Sequence, residues 1–179
     1  MVTDQVRILD TKVLFDRMNV RILVETIESG GRSRPYFYLE GATGAVATVG
    51  VTSDGQLLLT RQYRHPIRQI IYDLPAGRLN AGEEPLDGAR REFEEETGYY
   101  PRHIEKLGEY NQFPGTLRVA TTLFFARDLE PTRQNLDEGE ELEVVQLPVS
   151  QVLEMIQDNQ FIDGSLQLGV LLAHHKGLI

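Results

Sequence analysis

Fourteen residues concentrate much of the acidity of this chain. From Glu83 to Glu96 there are seven acids (Glu83, Glu84, Asp87, Glu92, Glu94, Glu95 and Glu96), opposed only by Arg90 and Arg91, a local net charge of −5. On a helix, residues four apart share a face. Glu92 and Glu96 therefore project together, with Glu95 beside them. Such like-charged pairs cost about 0.2–0.5 kcal/mol each on an exposed helix. A divalent cation reverses that sign, and carboxylates with no softer ligand nearby suit a hard ion such as Mg²⁺, with Mn²⁺ as an alternative. Arg91 lies four residues before Glu95 and can hold it. Ala89 and Phe93, also four apart, can form a buried stripe that fixes the direction of the acids. A second acidic run, Asp137 to Glu143, has five acids in seven residues and no base, and by composition it reads as a solvated loop. His65, His103, His174 and His175 show no ligand spacing.

The elements that must position these acids follow from pattern. Residues 6–15 and 19–28 are rich in β-branched and apolar types and read as strands, 30–35 as a Gly- and Arg-containing loop, and 36–40 as a further strand. Residues 44–51 and 56–63 flank Ser53-Asp54-Gly55, a hairpin signal because Gly accepts positive φ. A short run at 70–73 stops before Pro75. Helix is predicted over 85–97, with Pro85 at its first position, Glu84 as an unfavoured N-cap and Gly98 as its stop. Strands resume at 104–111, 121–127 and 142–147, and helices follow at 150–158 and 165–175. Strands, one helix, more strands and terminal helices make an α+β chain. We divide it into an antiparallel β element over 1–40 and a main domain over 41–179. Two or three strands alone are marginal in water, so the first element should pack on another surface, such as a second subunit.

Composition narrows the class. The 179 residues are 41% hydrophobic and 25% charged, ordinary for a globular protein. The net charge of −9 repels polyanions and disfavours nucleic acid. The absence of Cys removes disulfides, thiolate nucleophiles and Cys-based zinc sites, and it fits a reducing cytoplasm. Asp4 and Arg7 interrupt any leader-like apolar stretch. The apolar runs at 119–126 and 169–173 fall short of the ~20 residues that cross a bilayer, so a soluble protein with no membrane partner is expected.

The stretch Gly77 to Tyr99, GRLNAGEEPLDGARREFEEETGY, resembles the Nudix box, G-x5-E-x7-R-E-U-x-E-E-x-G-U, where U is bulky and aliphatic. Gly77, Glu83, Arg91, Glu92, Phe93, Glu95, Glu96, Gly98 and Tyr99 fall at the matching positions. Both U positions are aromatic here, which keeps bulk and apolarity. The resemblance implies a Nudix-type α/β/α sandwich with a mixed β-sheet. It also implies hydrolysis of a nucleoside diphosphate linked to another moiety, assisted by divalent metal. Metal ligation carries over to Glu92 and Glu96, with Glu95 a further ligand or orienting group and Arg91 its holder. In members resembling ADP-ribose pyrophosphatases, a backbone carbonyl just before the box glycine, here Ala76, joins the ligands. Two or three Mg²⁺ ions at such a site, about 3.5–4 Å apart, would neutralise the pyrophosphate and acidify a bound water.

Features outside the box resemble that same subfamily. Pro114, in Gln112-Phe113-Pro114-Gly115, lies sixteen residues after Gly98, the offset of the ADP-ribose pyrophosphatases. Gln62-Tyr63-Arg64 matches their Gln-x-Arg before the box, where Arg64 would grip phosphate oxygens with its planar fork. Arg34 would reach a partner's site in a homodimer. In that subfamily a general base comes from an acidic loop before a strand. Glu140 fits best, with Glu141 and Glu138 behind it, and Gly139 would let the loop close. The expected reaction is hydrolysis of ADP-ribose or a related nucleoside diphosphate sugar to a nucleoside monophosphate and a sugar phosphate. The alternatives are a catalytically silent nucleotide-sugar sensor and a nucleoside triphosphate hydrolase with the same chemistry. Sensors of this kind usually lose a box glutamate, and this chain keeps all four.

Overall fold

The computed structural model describes residues 6–179; Asp4, on which the reading of the N-terminus partly rests, lies outside them. In chain order the elements are β1 (Arg7–Arg17), β2 (Val20–Ser29), β3 (Arg32–Gly41), β4 (Ala45–Val51), β5 (Gln56–Arg64), β6 (Gln69–Asp73), β7 (Ala76–Arg78), α1 (Pro85–Thr97), β8 (Tyr99–Asn111), β9 (Leu117–Arg118), β10 (Ala120–Pro131), β11 (Leu142–Pro148), α2 (Val149–Gln157) and α3 (Gly164–His175). Contacts divide them into two units. One contains the residues up to Gly44 together with Asn111–Ala120, and the other contains Ala45–Tyr110 and Thr121–Ile179.

The first unit is one sheet in the order β1-β2-β3-β9. Both of its hairpins close through two residues with positive φ. Met18 (56°) and Asn19 (58°) join β1 to β2, and Gly30 (58°) and Gly31 (73°) join β2 to β3. Such pairs match the twist of the flanking strands. This corrects the loop expected over 30–35. Only the two glycines turn, and Arg32–Pro35 pair with Ser29–Thr26 as the start of β3. Pro35 is tolerated because β9 pairs with β3 only at Leu39 and Glu40, so no neighbour needs a donor from Pro35 on that edge. Arg34 accordingly lies in a strand, not a loop. The sheet's return strand, β9, has two residues and runs parallel to β3. The division at residue 40 therefore lacks a segment that comes back at 111–120.

The second unit is built on a mixed sheet in the order β11-β5-β4-β10-β8, with β6 on β5 and β7 on β4. β10 runs parallel to β4, and β11 antiparallel to β5. Alternation along the strands sends side chains to opposite faces. Val46, Phe124, Leu58 and Ala126 meet Ala89 and Phe93 of α1. Ala47, Val49, Leu57, Leu59, Leu123 and Phe125 meet Val152 of α2 and Leu166, Val170 and Ala173 of α3. The layers are helix, sheet, helices, as the α+β sandwich requires. Phe93 is fully buried, worth about 1.5–3 kcal/mol. It lies so close to β4 that a Cβ on Gly50 would meet its ring at 2.3 Å. Among the described residues no helix is long and apolar enough to cross a membrane.

Candidate functional site

Helix α1 carries the acids, and its ends fix its register. Glu84 is the N-cap in extended conformation without a side-chain cap, and Pro85 follows it. The other end stops at Gly98, left-handed at φ 72°, whose N–H donates to Glu94 O. The last turn has no base, so its carbonyls need other donors. The chain after β10 supplies them. Thr132 N–H donates to Gly98 O (2.7 Å), Asn135 N–H to Glu95 O (2.8 Å) and Gln134 Nε2 to Glu96 O (2.8 Å). That strap anchors the chain where it enters the acidic loop.

Arg91 is the hub of the helix face. Nε and Nη2 donate to the two oxygens of Glu83 (2.8 and 2.9 Å), Nη1 to Glu92 Oε1 (2.8 Å) and Glu95 Oε2 (3.1 Å), and Nη2 also to Arg78 O (3.2 Å). All five donors are engaged. A planar fork held this way orients three carboxylates at once. The hydrogen bonds from Arg91 and from Asn80 N–H hold the Glu83 carboxyl down at about 2.

Glu96 stands on the inner side of this face and is 4% exposed. Burial pushes its carboxyl up to about 8; the N–H of Ala76 (2.9 Å) opposes this, Glu92 and Glu140 add to it, and Arg64 pulls it down. Burial likewise raises Glu92, with Arg91 opposing and Glu95 and Glu140 reinforcing. Glu140, from a separate segment, thus adds its charge to the repulsion at both Glu92 and Glu96. Gly77 makes room for Glu92, since a Cβ there would fall 2.1 Å from the Glu92 carboxyl carbon. An all-oxygen, mutually repelling donor set beside a glycine cradle fits a hard divalent cation. Among the described residues no three acidic or His side chains already converge at ligating distance; Arg91 and the Ala76 N–H hold them instead. Glu140 is exposed, follows Gly139 at φ 88°, and accepts from Asp137 N–H (3.2 Å).

Arg64, at the end of β5, donates from Nε to Asp73 Oδ2 (2.7 Å), and its Nη2 closes on the same oxygen. The guanidinium side chain is 44% exposed and that of Asp73 only 4%. In the first unit, Arg34 lies over the Tyr36 ring, 5.7 Å from its centroid. Tyr36 Oη donates to Gly115 O (2.6 Å) and Tyr38 Oη to Glu25 (2.9 Å). Pro114 and Gly115 form an exposed turn in which Phe113 O accepts from Thr116 and Leu117 N–H. With Tyr36, Tyr38, Glu25 and Arg118 they line a cleft of about 290 Å³.

The sequence-predicted residues thus fall into two groups. In the second unit, Arg91 hydrogen-bonds Glu92 and Glu95, Ala76 hydrogen-bonds Glu96, and Glu140 and Arg64 lie within electrostatic reach of Glu96. Arg34, Pro114 and Gly115 belong to the first unit. Sequence reasoning missed Asp73, whose only signal was an acid ending an apolar run just before Pro75. It also missed Gln134, for which no signal existed.

Comparison with known proteins gives four findings. The NUDIX domain family matches residues 42–166. An ADP-ribose pyrophosphatase of Bacillus subtilis (strain 168) is 34% identical over 122 residues, 67% of this chain and 66% of that protein. A GDP-mannose pyrophosphatase of Pectobacterium atrosepticum is 30% identical over 141 residues, 74% of this chain and 71% of that protein. In three dimensions, the crystal structure of an ADP compounds hydrolase superposes with a TM-score of 0.87, covering 97% of this chain and 96% of that one at 23% identity, which establishes the fold.

Proposed function

This chain belongs to the Nudix family, and from that premise we propose that it hydrolyses the pyrophosphate bridge of ADP-ribose and related nucleoside diphosphate sugars, with Mg²⁺ (Mn²⁺ as an alternative) as its metal. The observation that carries this reading is the Arg91-held carboxylate face with Glu96 buried against Ala76 beside the Gly77 cradle. Glu92, Glu96, Glu95 and the Ala76 carbonyl would hold the metal, which would neutralise the diphosphate and acidify water. Arg91 keeps Glu92 and Glu95 aligned. Arg64 grips phosphate oxygens. Glu140, exposed and next to Gly139 with its left-handed φ of 88°, takes the proton of the attacking water as a P–O bond of the bridge breaks. ADP-ribose then yields AMP and ribose 5-phosphate.

Arg34, Pro114 and Gly115 are the substrate-binding residues of the first unit in this reading, with the tyrosine-lined cleft beside them. The partner is a small nucleotide sugar, not nucleic acid, in keeping with the net charge of −9. Cytoplasmic residence fits the absence of Cys. A homodimer would cover the exposed apolar side chains of β1. The test is incubation with Mg²⁺ and a panel of ADP-ribose, GDP-mannose, UDP-glucose and ADP-glucose, followed by assay of phosphatase-releasable phosphate. Release from at least one is expected; none from any would refute the reading.

A further inference from the structure

We propose that Asp73 is a positioning residue that locks the Arg64 guanidinium side-on, so that its free edge is presented to the substrate diphosphate. The proposal rests on the reading of Arg64 as the phosphate-gripping arginine and adds the group that fixes it. The hairpin of β5 and β6 places Asp73 opposite Thr60, four residues before Arg64. The Arg64 side chain therefore folds back along the hairpin to reach Asp73, and it does so through Nε and Nη2. Nη1 makes no hydrogen bond among the described residues. An arginine held by one edge keeps its other edge for a second planar or tetrahedral anion.

Burial makes the lock one-sided. Asp73 is 3% exposed, and its Oδ1 finds no partner among the described residues. Arg64 is thus the cation that compensates a buried carboxylate, and a guanidinium that swung away would strand that charge in the interior. A free surface arginine samples many rotamers and must be ordered when it binds; Asp73 orders it beforehand. The location is right for this task. Asp73 lies three residues before Ala76, whose N–H meets Glu96, and the Arg64 charge is felt at Glu96.

Two measurements on Asp73→Asn, Arg64→Ala and the double variant test the proposal. In steady-state kinetics with ADP-ribose and Mg²⁺, Asp73→Asn should raise KM about tenfold, the equivalent of one charge-assisted contact, with kcat within about threefold. In the Arg64→Ala background Asp73→Asn should add nothing to KM. Additive effects of the two substitutions would overturn the proposal, because Asp73 would then act other than through Arg64. The second readout needs no turnover. The Arg64 Nε–Hε NMR signal, identified by its loss in Arg64→Ala, should be ordered in the wild type and averaged in Asp73→Asn. Equal order in both proteins would also overturn it. A wild type that cleaves no nucleotide sugar would sink the reading of the function, while the NMR comparison would still decide whether Asp73 holds Arg64.

Discussion

Glu96 sets burial directly against charge. Its carboxyl is raised to about 8 by desolvation, and Glu92 and Glu140 push the same way. A bound cation resolves that conflict, and a neutral side chain resolves it too, without the chemistry. Glu96→Gln should therefore lower kcat by about 10³-fold, the scale of removing one group from an electrostatic site. The melting temperature without metal should not fall, because the amide oxygen still accepts from Ala76 N–H. Near wild-type turnover would mean that Glu96 is not a ligand. Glu83 shows the opposite shift, from an ordinary 4.5 to about 2, chiefly through Arg91. A carboxyl whose folded pKa is depressed stabilises the fold above its unfolded value, and that stabilisation disappears as pH falls through the folded one. Between pH 4.5 and about 2 the wild type should lose stability that Glu83→Gln has already lost. The acid branch of the variant's denaturation curve should be flatter, and parallel curves would count against the Arg91 pairing.

Close approaches between elements set the next scale. Gly50 on β4 admits Phe93 of α1, and Gly77 before the helix admits Glu92. An added methyl should act differently at each. Gly50→Ala overpacks a dry contact and should cost about 1–3 kcal/mol of stability, read as a lower melting temperature. Gly77→Ala displaces a half-buried carboxylate that can swing outward, so activity should fall far more than stability does. Equal losses of both in Gly77→Ala would make the glycine structural only. Much at this scale was legible in the sequence. The helix runs from Pro85 to Thr97 as its capping pattern predicts, because a proline start and a left-handed glycine stop are local signals. Strands β7 and β9 were not legible, since two or three residues show no alternation. The 30–35 segment was misread because its charged residues mimic a loop, while register against β2 decides that Arg32 is already in the sheet. Within the site, the i, i+4 spacing foretold the Arg91–Glu95 contact. The Arg64–Asp73 pair depends on hairpin register, which no motif encodes.

For the whole molecule, the unresolved demand is the first unit's surface. Every residue of β1 is exposed, including Ile8, Leu9, Val13, Leu14 and Phe15. Strand β1 is also the edge of its sheet. An apolar edge strand is a template for pairing and natural proteins cover it. A second copy of the chain is the simplest cover, because a two-fold axis buries the same patch on both sides. Light scattering should then give about twice 20.3 kDa at micromolar concentration, and Phe15→Asp should shift that mass toward the monomer. Catalysis separates the two roles of the interface. The carboxylate face lies wholly within one chain's second unit, so kcat in Phe15→Asp should stay close to wild type at saturating substrate. If Arg34 serves the partner's site, KM for ADP-ribose should rise with dissociation and fall again as protein concentration restores the dimer. A wild type that scatters as a monomer refutes the dimer, and a KM insensitive to dissociation confines Arg34 to its own chain.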